Sequence, residues 1–391
     1  MGMPYRTDHY GHFARALESS DKLRLACLWT RRGYPGIPLE KTRRLPILGG
    51  IAYLTACYGN KLAAERLRFR MYPFFDKWMS SHLRDGDSIY SSYGYANTSF
   101  RRTKELGGNT FVDGGNSHPR LLWGVLSEEN ERWGVAEDPI SQFHYERSLA
   151  MMEDTDFVVS PSSFVTRSFL DNGFTSEQIL PSFYPVNLSL FHPAEDVRPA
   201  NRPFTLINTS GLSFRKGTPY LLEMFRRIHR QIPRARFQVT RSDDLHPEIE
   251  RLLKEYSELP IEWMNYMRHE EMAQRFRQAD LLVLPSLEDG FARVVTEAMS
   301  CGLPVIVSEN TGACDLVTPG VTGSVHPIRD VESMVDSALG WWERIREGYR
   351  PAVVDLQSRL SPDAYAKRIL DMIKGLESLH RVESVKEVIA P

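Results

Sequence analysis

Three stretches of the chain place reactive side chains among small residues at the end of an apolar run. In the longest, Leu281–Val317, the run leads into Glu288-Asp289-Gly290 and a helical pattern begins at once. The unpaired N–H groups and positive dipole end of such a helix start form an anion site. Asp289 and Glu297 are eight residues apart, about 12 Å along a helix axis. That is too far for joint work on one bond, but it suits an elongated ligand gripped by hydroxyls at both ends with a phosphate between. An ionised carboxylate only accepts hydrogen bonds and can take two vicinal hydroxyls, as sugars and riboses offer. The plainer alternative makes Asp289 a helix cap and Glu297 a solvated helix position, and spacing by itself favours it.

The second stretch, Asn208–Gly217, reads NTSGLSFRKG between a strand and a helix. Small residues, Gly211 among them, let backbone approach a ligand. Arg215 and Lys216 can neutralise a diphosphate leaving group without a metal ion. As a plain helix start the pair would oppose the helix dipole, and that local conflict weighs toward function. The third stretch, Asp113–Pro119, reads DGGNSHP. Its glycines should expose His118 near a strand end, where a neutral imidazole can donate to a sugar hydroxyl or phosphate. A lone loop histidine is more often only a surface residue.

These stretches need a scaffold that delivers them to one place. After a proline-rich, charge-alternating linker at residues 193–203, strand and helix patterns alternate: strands at 204–208, 236–240, 261–264, 281–285 and 304–308, helices at 218–231, 247–256, 269–279 and 291–300. Such alternation with tight turns implies a parallel sheet covered by helices on both faces. Ligands of such sheets bind beyond the carboxyl ends of the strands, where the loops after Asn208, Pro285 and Ser308 lie. The first half is similar in kind, with strands at 23–29, 88–94, 110–113 and 157–160, a helix at 98–106, and a mostly helical, basic region at 45–84. The expected architecture is α/β, two doubly wound Rossmann-like domains facing each other across a cleft. The expected bounds are 1–195, 196–361, and a C-terminal helix at 362–391 returning to the first domain.

Composition removes several classes. Of 391 residues, 42% are hydrophobic, and 48 Lys and Arg nearly balance 50 Asp and Glu. A net charge of −2 argues against a general nucleic-acid coat, which needs a broad basic surface. No apolar run reaches the length of a membrane span, and the first 20 residues lack a secretory pattern. The four cysteines, Cys27, Cys57, Cys301 and Cys314, form no C-x-x-C pair and read as reduced thiols of a cytoplasmic protein.

The motifs, taken in order, resemble those of retaining nucleotide-sugar glycosyltransferases of the GT-B fold, glycosyltransferase family 4. That family carries E-G-F-G-x-x-x-x-E-A-x-A-x-G-x-P-V-I after a strand, and this chain reads DGFARVVTEAMSCGLPVI from Asp289. Arg215-Lys216-Gly217 matches its K-G pair, Ser308–Val317 its loop beyond the next strand, and SPSSFVTRSFL and YPVNLSLFHP its segments before the linker. The resemblance covers about residues 109–371. It implies that Glu297 holds the donor ribose, Asp289 the transferred sugar, and the backbone at Gly290 and Phe291 sugar and phosphate. It further implies that Arg215 and Lys216 stabilise the departing diphosphate and that His118 reaches the sugar from the first domain. Backbone near Gly211, Thr311 and Gly312 would flank the donor. The donor would be a UDP- or GDP-sugar, with no metal or other cofactor, and the acceptor a glycan or lipid-linked glycan of bacterial surface polysaccharide. The transfer would retain configuration, with no carboxylate nucleophile of the glycosidase kind.

The chain departs from that pattern at four places. Asp289 replaces a glutamate, with Glu288 one residue out of register; Gly211 stands where an arginine is usual; Pro185-Val186-Asn187 replaces Gly-Val-Asp. Met1–His12 shows no opening strand, so the start is either trimmed or atypical. These departures sustain an alternative, a degenerate relative acting as a scaffold in glycan assembly. A metal-dependent transferase would need an Asp-x-Asp site, but Asp85-Gly86-Asp87 and Asp154-Thr155-Asp156 precede strands instead of following them. A dehydrogenase lacks its G-x-G-x-x-G. Finally, residues 31–84 carry eleven Lys and Arg against three acids, interleaved with apolar side chains. Residues 43–84 therefore read either as the solvated face of a packed domain or as a peripheral contact with an anionic membrane, on the inner face of the plasma membrane.

Overall fold

The structure, a computed structural model, describes residues 1, 8–30, 32–51, 61–194, 202–241 and 245–389. Most of the linker expected at 193–203, part of the opening Met1–His12 stretch and residues 52–60 of the basic region lie outside the described residues.

Helix α1 (Asp8–Ser19) leads to β1 (Ala26–Leu28), which pairs in parallel with β2 (Thr42–Arg44). Then come α2 (Lys61–Ser80), β3 (Ile89–Ser91), α3 (Asn97–Glu105), β4 (Thr110–Asp113), α4 (Pro119–Arg132), α5 (Gln142–Met152), β5 (Phe157–Ser160), α6 (Ser163–Leu170) and β6 (Ile179–Pro181). Strands β3 to β6 form a parallel sheet in chain order. One face packs Ile89, Val112 and Val158 against Tyr72 and Phe75 of α2 and Val165 of α6. The other packs Tyr90 and Val159 against Tyr10, Phe13 and Ala14 of α1.

The second half runs β7 (Thr205–Asn208), α7 (Thr218–Gln231), β8 (Arg236–Thr240), α8 (Pro247–Glu255), β9 (Ile261–Met264), α9 (His269–Gln278), β10 (Leu281–Leu284), α10 (Arg293–Ser300), β11 (Val305–Ser308), β12 (Gly323–His326), α11 (Val331–Arg346), α12 (Val354–Leu360) and α13 (Pro362–Ile389). Its six parallel strands lie in the order β12-β11-β10-β7-β8-β9. The sheet is apolar on both faces because successive side chains alternate. Leu281 and Val283 pack with Leu221, Phe225 and Ile228 of α7, whereas Leu282 and Leu284 pack with Val295, Ala298 and Met299 of α10. Tyr365 and Ile369 of α13 join the α1 layer of the first half.

Strand order reverses between β7 and β10, so this pair is the topological switch point. The crevice beyond their carboxyl ends is where ligands of doubly wound sheets bind.

Candidate active site

The loops leaving β7, β10 and β11 are fastened together by backbone hydrogen bonds. Leu287 N–H donates to the Arg215 carbonyl at 2.9 Å, Asp289 N–H to that of Asn310 at 2.9 Å, and Gly312 N–H to that of Asp289 at 2.8 Å. Gly217 adopts a left-handed conformation with φ +69°, where a Cβ would also overlap the Pro285 carbonyl. Glycine alone serves there, so Arg215 and Lys216 reach the β10 loop at close range.

Two ion pairs occupy this junction. Lys216 Nζ pairs with Asp289 Oδ2. The other oxygen, Oδ1, accepts from Ala292 N–H at 2.8 Å and Phe291 N–H at 3.3 Å, fixing the turn that leads into α10. Burial pushes the Asp289 carboxyl up, but Lys216 and then Arg215 outweigh it and hold it below the ordinary range. Arg215 donates through Nε to Glu288 Oε2 at 2.7 Å. Burial opposes its charge, and Glu288 followed by Asp289 more than restores it, so the guanidinium is held above its usual value. Glu297 lies on α10, 4% exposed, with Arg293 Nη2 at 3.4 Å.

The first half meets these loops directly. Ser117 N–H donates to Glu288 Oε1 at 2.8 Å, and Arg215 Nη2 donates to Asn116 Oδ1 at 2.7 Å. Ser162 Oγ donates to the Gly290 carbonyl at 2.7 Å, and a Cβ at Gly290 would overlap the Gly115 carbonyl. Asp315 accepts from Ser163 N–H and Oγ, each at 2.6 Å, at the start of α6.

His118 departs from its sequence reading as an exposed loop residue. It is 3% exposed, wedged against Phe169 and Phe174. Its Nδ1 accepts from Arg120 N–H at 3.3 Å, so the ring caps its own helix. Burial, and secondarily Arg120, push its pKa down to about 4, so it is neutral at pH 7. The remaining named residues sit around the junction. Thr311 Oγ1 contacts Ser308 Oγ at 3.0 Å, and Gly211 takes φ +76° in the β7 loop. Of the Asp-x-Asp carboxylates, Asp87 pairs with Arg24 and Asp156 accepts from Thr110, both at the amino ends of strands.

Sequence reasoning noticed Glu288 only as an acid out of register and passed over Asn116 and Ser117. Only the acidic doublet at 288–289 and the polar pair after Gly115 hinted at them, because the contacts span 99 and 171 residues. The hydroxyls of Ser117, Thr209 and Ser286, in the loops after β4, β7 and β10, are buried without a partner among the described residues. Orphaned buried hydroxyls at converging strand ends mark a place built for a polar ligand.

The family model described as "Glycosyl transferases group 1" matches residues 203–344. The chain is 22% identical over 280 residues to a phosphatidylinositol N-acetylglucosaminyltransferase subunit of Arabidopsis thaliana, covering 69% of this chain and 62% of that one. It is 24% identical over 141 residues to the amylovoran biosynthesis glycosyltransferase AmsK of Erwinia amylovora, covering 34% and 35%. The chain thus spans about three fifths or less of the length of these curated relatives. Among solved structures it superposes on Anabaena HepE in complex with UDP and glucose with a TM-score of 0.63 at 14% identity, covering 96% of this chain and 100% of that one. The lipopolysaccharide outer core galactosyltransferase WaaB gives 0.62 at 16% identity, with 96% and 99% covered. These likenesses establish the GT-B arrangement of two facing α/β domains. The matched family segment contains Lys216, Asp289 and Glu297, so the second domain is similar to the group 1 glycosyltransferases over residues 203–344.

Proposed function

We propose that this protein transfers a sugar from a UDP- or GDP-sugar to a glycan or lipid-linked acceptor in surface polysaccharide synthesis, with retention of configuration and without a metal ion. The observation that carries the reading is the Lys216–Asp289 pair at the start of α10, facing the first domain's Gly115–Ser117 loop. In the reaction the bond from the anomeric carbon to the leaving phosphate oxygen breaks. The acceptor oxygen bonds that carbon on the same face, and the acceptor proton passes to the leaving diphosphate. Lys216 offsets the charge gathering on that diphosphate, and Asp289, released from the lysine, takes hydroxyls of the transferred sugar. Glu297 holds the ribose hydroxyls. His118 serves this site by capping α4 and fixing the loop before it.

Screening UDP-, GDP-, ADP- and dTDP-sugars for turnover tests the reading, with NMR of the product's anomeric proton deciding retention. Lys216→Ala should lower kcat by about 10²–10³, the range seen when one oxyanion-stabilising donor is lost. Turnover should survive EDTA. Strict dependence on Mn²⁺ or Mg²⁺ would overturn the metal-free step, and silence with every donor would leave the scaffold alternative standing.

We also propose peripheral attachment to an anionic membrane through α2. No helix among the described residues is long and apolar enough to cross a membrane. Most apolar residues of α2 are buried, Tyr72 and Phe75 completely, but Leu67, Arg70, Phe74 and Lys77 line one exposed stripe, Phe74 68% exposed. Apolar and basic residues interleaved on a helix face suit the headgroup region of anionic lipid. Charge reversal at Arg70 and Lys77 should weaken co-sedimentation with anionic vesicles and leave neutral vesicles unaffected.

A further inference from the structure

Tyr184 belongs to two domains at once. It follows β6, is buried, and its ring is part of the second domain's core with Val186, Phe191 and Phe291. The ring meets that of Phe291 edge-on at 5.4 Å. Its hydroxyl reaches the other way and donates at 2.8 Å to Oδ1 of Asp113, the last residue of β4. Asp113 is 1% exposed and held largely by phenols. Tyr90 of β3 donates to the same oxygen at 2.7 Å, and Tyr10 of α1 to Oδ2 at 2.8 Å, with His9 Nε2 3.5 Å from Oδ2. Burial, and then the charge on Asp113, push all three tyrosines well above their usual range, so they remain donors. The loop after β4 rests on this group. A Cβ at Gly115 would come within 3.3 Å of Asp113 Oδ2 and 3.5 Å of Tyr184 OH, and the Gly115 carbonyl in turn abuts Gly290. Tyr93 OH holds the next carbonyl, that of Asn116, at 2.6 Å.

We propose that Tyr184 is a positioning residue for transfer: with its hydroxyl on Asp113 and its ring on Phe291, it seats the Gly114–Ser117 loop against the turn before α10. The assignment rests on the transfer reading above, which puts the transferred sugar at that turn. A network that only stabilised the first domain would draw its donors from that domain, as it does for Tyr10 and Tyr90. Tyr184 brings its donor from the core of the second. A hydrogen bond to an ionised carboxylate is short and directional, so it fixes the distance from the end of β4 to Phe291, where an apolar contact would let the loop slide. A misplacement of about 1 Å at a reacting centre can cost about 10²-fold in rate. The nucleotide end, assigned to Glu297 farther along α10, should be indifferent to the same change.

The test compares the full wild-type chain with Tyr184→Phe, in which the ring still fills its place beside Phe291. The matched control is Tyr10→Phe, which deletes a like hydrogen bond to the same carboxylate but none from the second domain. Turnover with the donor found by screening, Kd for UDP and GDP, Tm, and amide hydrogen exchange over residues 114–117 are measured for each. Tyr184→Phe should lower kcat about tenfold or more, leave the nucleotide Kd within about twofold and speed exchange in the loop. Tyr10→Phe should lose a similar increment of Tm with kcat nearly unchanged. An equal fall of kcat in the two variants, or a fall in nucleotide affinity as large as that in kcat, overturns the assignment. Silence of wild type with every donor sinks the transfer reading, and exchange then decides alone. Faster exchange in Tyr184→Phe but not in Tyr10→Phe upholds the seating of the loop, and unchanged exchange removes it.

Discussion

Glu288 holds Arg215 through a 2.7 Å hydrogen bond to Nε while its other oxygen takes the amide of Ser117 from the opposite domain. A fully buried carboxylate therefore ties both domains to one guanidinium, which also reaches Asn116. Glu288 is thus a clamp between domains and does not substitute for Asp289. Glu288→Ala deprives Arg215 of its hydrogen-bonded carboxylate and leaves the Ser117 N–H unpaired, and should cost about 2–4 kcal/mol, the share from charge reduced because Arg215 is 32% exposed and Asp289 remains near it. Denaturant unfolding of Glu288→Ala, Arg215→Ala and the double variant measures the coupling. Additive losses would show that the two side chains act separately.

Asp289 does two jobs with its two oxygens, pairing with Lys216 and accepting from the N–H groups of Phe291 and Ala292 in the turn before α10. Asp289→Ala should lose about 1 kcal/mol of stability from the turn's hydrogen bonds and about 10²–10³ in kcat from the site. Asp289→Glu carries one more methylene and should keep the lysine pair while straining the turn. It should therefore show a lower Tm with most of its turnover retained. Equal loss of turnover in both variants would mean that the length of the side chain, and not its charge, sets the site.

The second domain was legible because its central strands are buried on both faces. Leu281–Leu284 and Val305–Val307 are continuous apolar runs, and the stripe of α7 has helical spacing, so these elements follow from burial alone. The positions of Lys216, Asp289 and Glu297 followed from strand–loop–helix order. The first domain was less legible. Its helices α4 and α5 carry weaker patterns, and α1 holds Tyr10 against Asp113, a contact across 103 residues that no local pattern signals. His118 misled for the same reason. A loop with two glycines suggests exposure, but Phe169 and Phe174, about 50 residues on, close over the ring.

Glu129 of α4 illustrates a long-range tie with a measurable consequence. It is fully buried and accepts from Trp133 Nε1 at 2.8 Å, Tyr220 OH at 2.8 Å and Arg329 Nε at 2.9 Å. Tyr220 stands in the first turn of α7, three residues after Gly217. Removing the carboxylate leaves three donors without their acceptor, although Arg329 keeps Glu128 Oε1 at 3.0 Å, a loss of about 2–3 kcal/mol. Because Tyr220 steadies the helix start behind Lys216, Glu129→Ala should also raise the donor KM severalfold. Glu129→Gln, which keeps an acceptor, should restore much of that KM. A stability loss with unchanged KM would confine Glu129 to packing.

The acid sensitivity of the fold should come from histidines before carboxylates. Burial, then Arg120 for His118 and Arg147 and Arg68 for His144, pushes both pKa values from 6.5 down to about 4, and His326 is lowered too. In the unfolded chain these rings take up protons as pH falls below about 6.5, whereas in the native state His118 and His144 do not until about 4 and His326 is held back in the same direction. Stability is therefore complete above pH 6.5 and falls between 6.5 and 4, by on the order of 2–3 kcal/mol at most for each ring. The carboxyls of Asp113 and Asp289 behave differently. Burial, the largest influence on each, is outweighed by His9 and hydroxyl donors at the first and by Lys216 and Arg215 at the second, so both pKa values are lowered. Their stabilisation is present above the unfolded value near 3.8 and is lost only as pH falls through the lower native values. Chemical unfolding at pH 7 and pH 5 separates the two windows. His144→Gln and His118→Gln should each lose some stability at pH 7 but show a smaller drop between the two pH values than wild type. An unchanged drop in both variants would move the acid sensitivity to other groups.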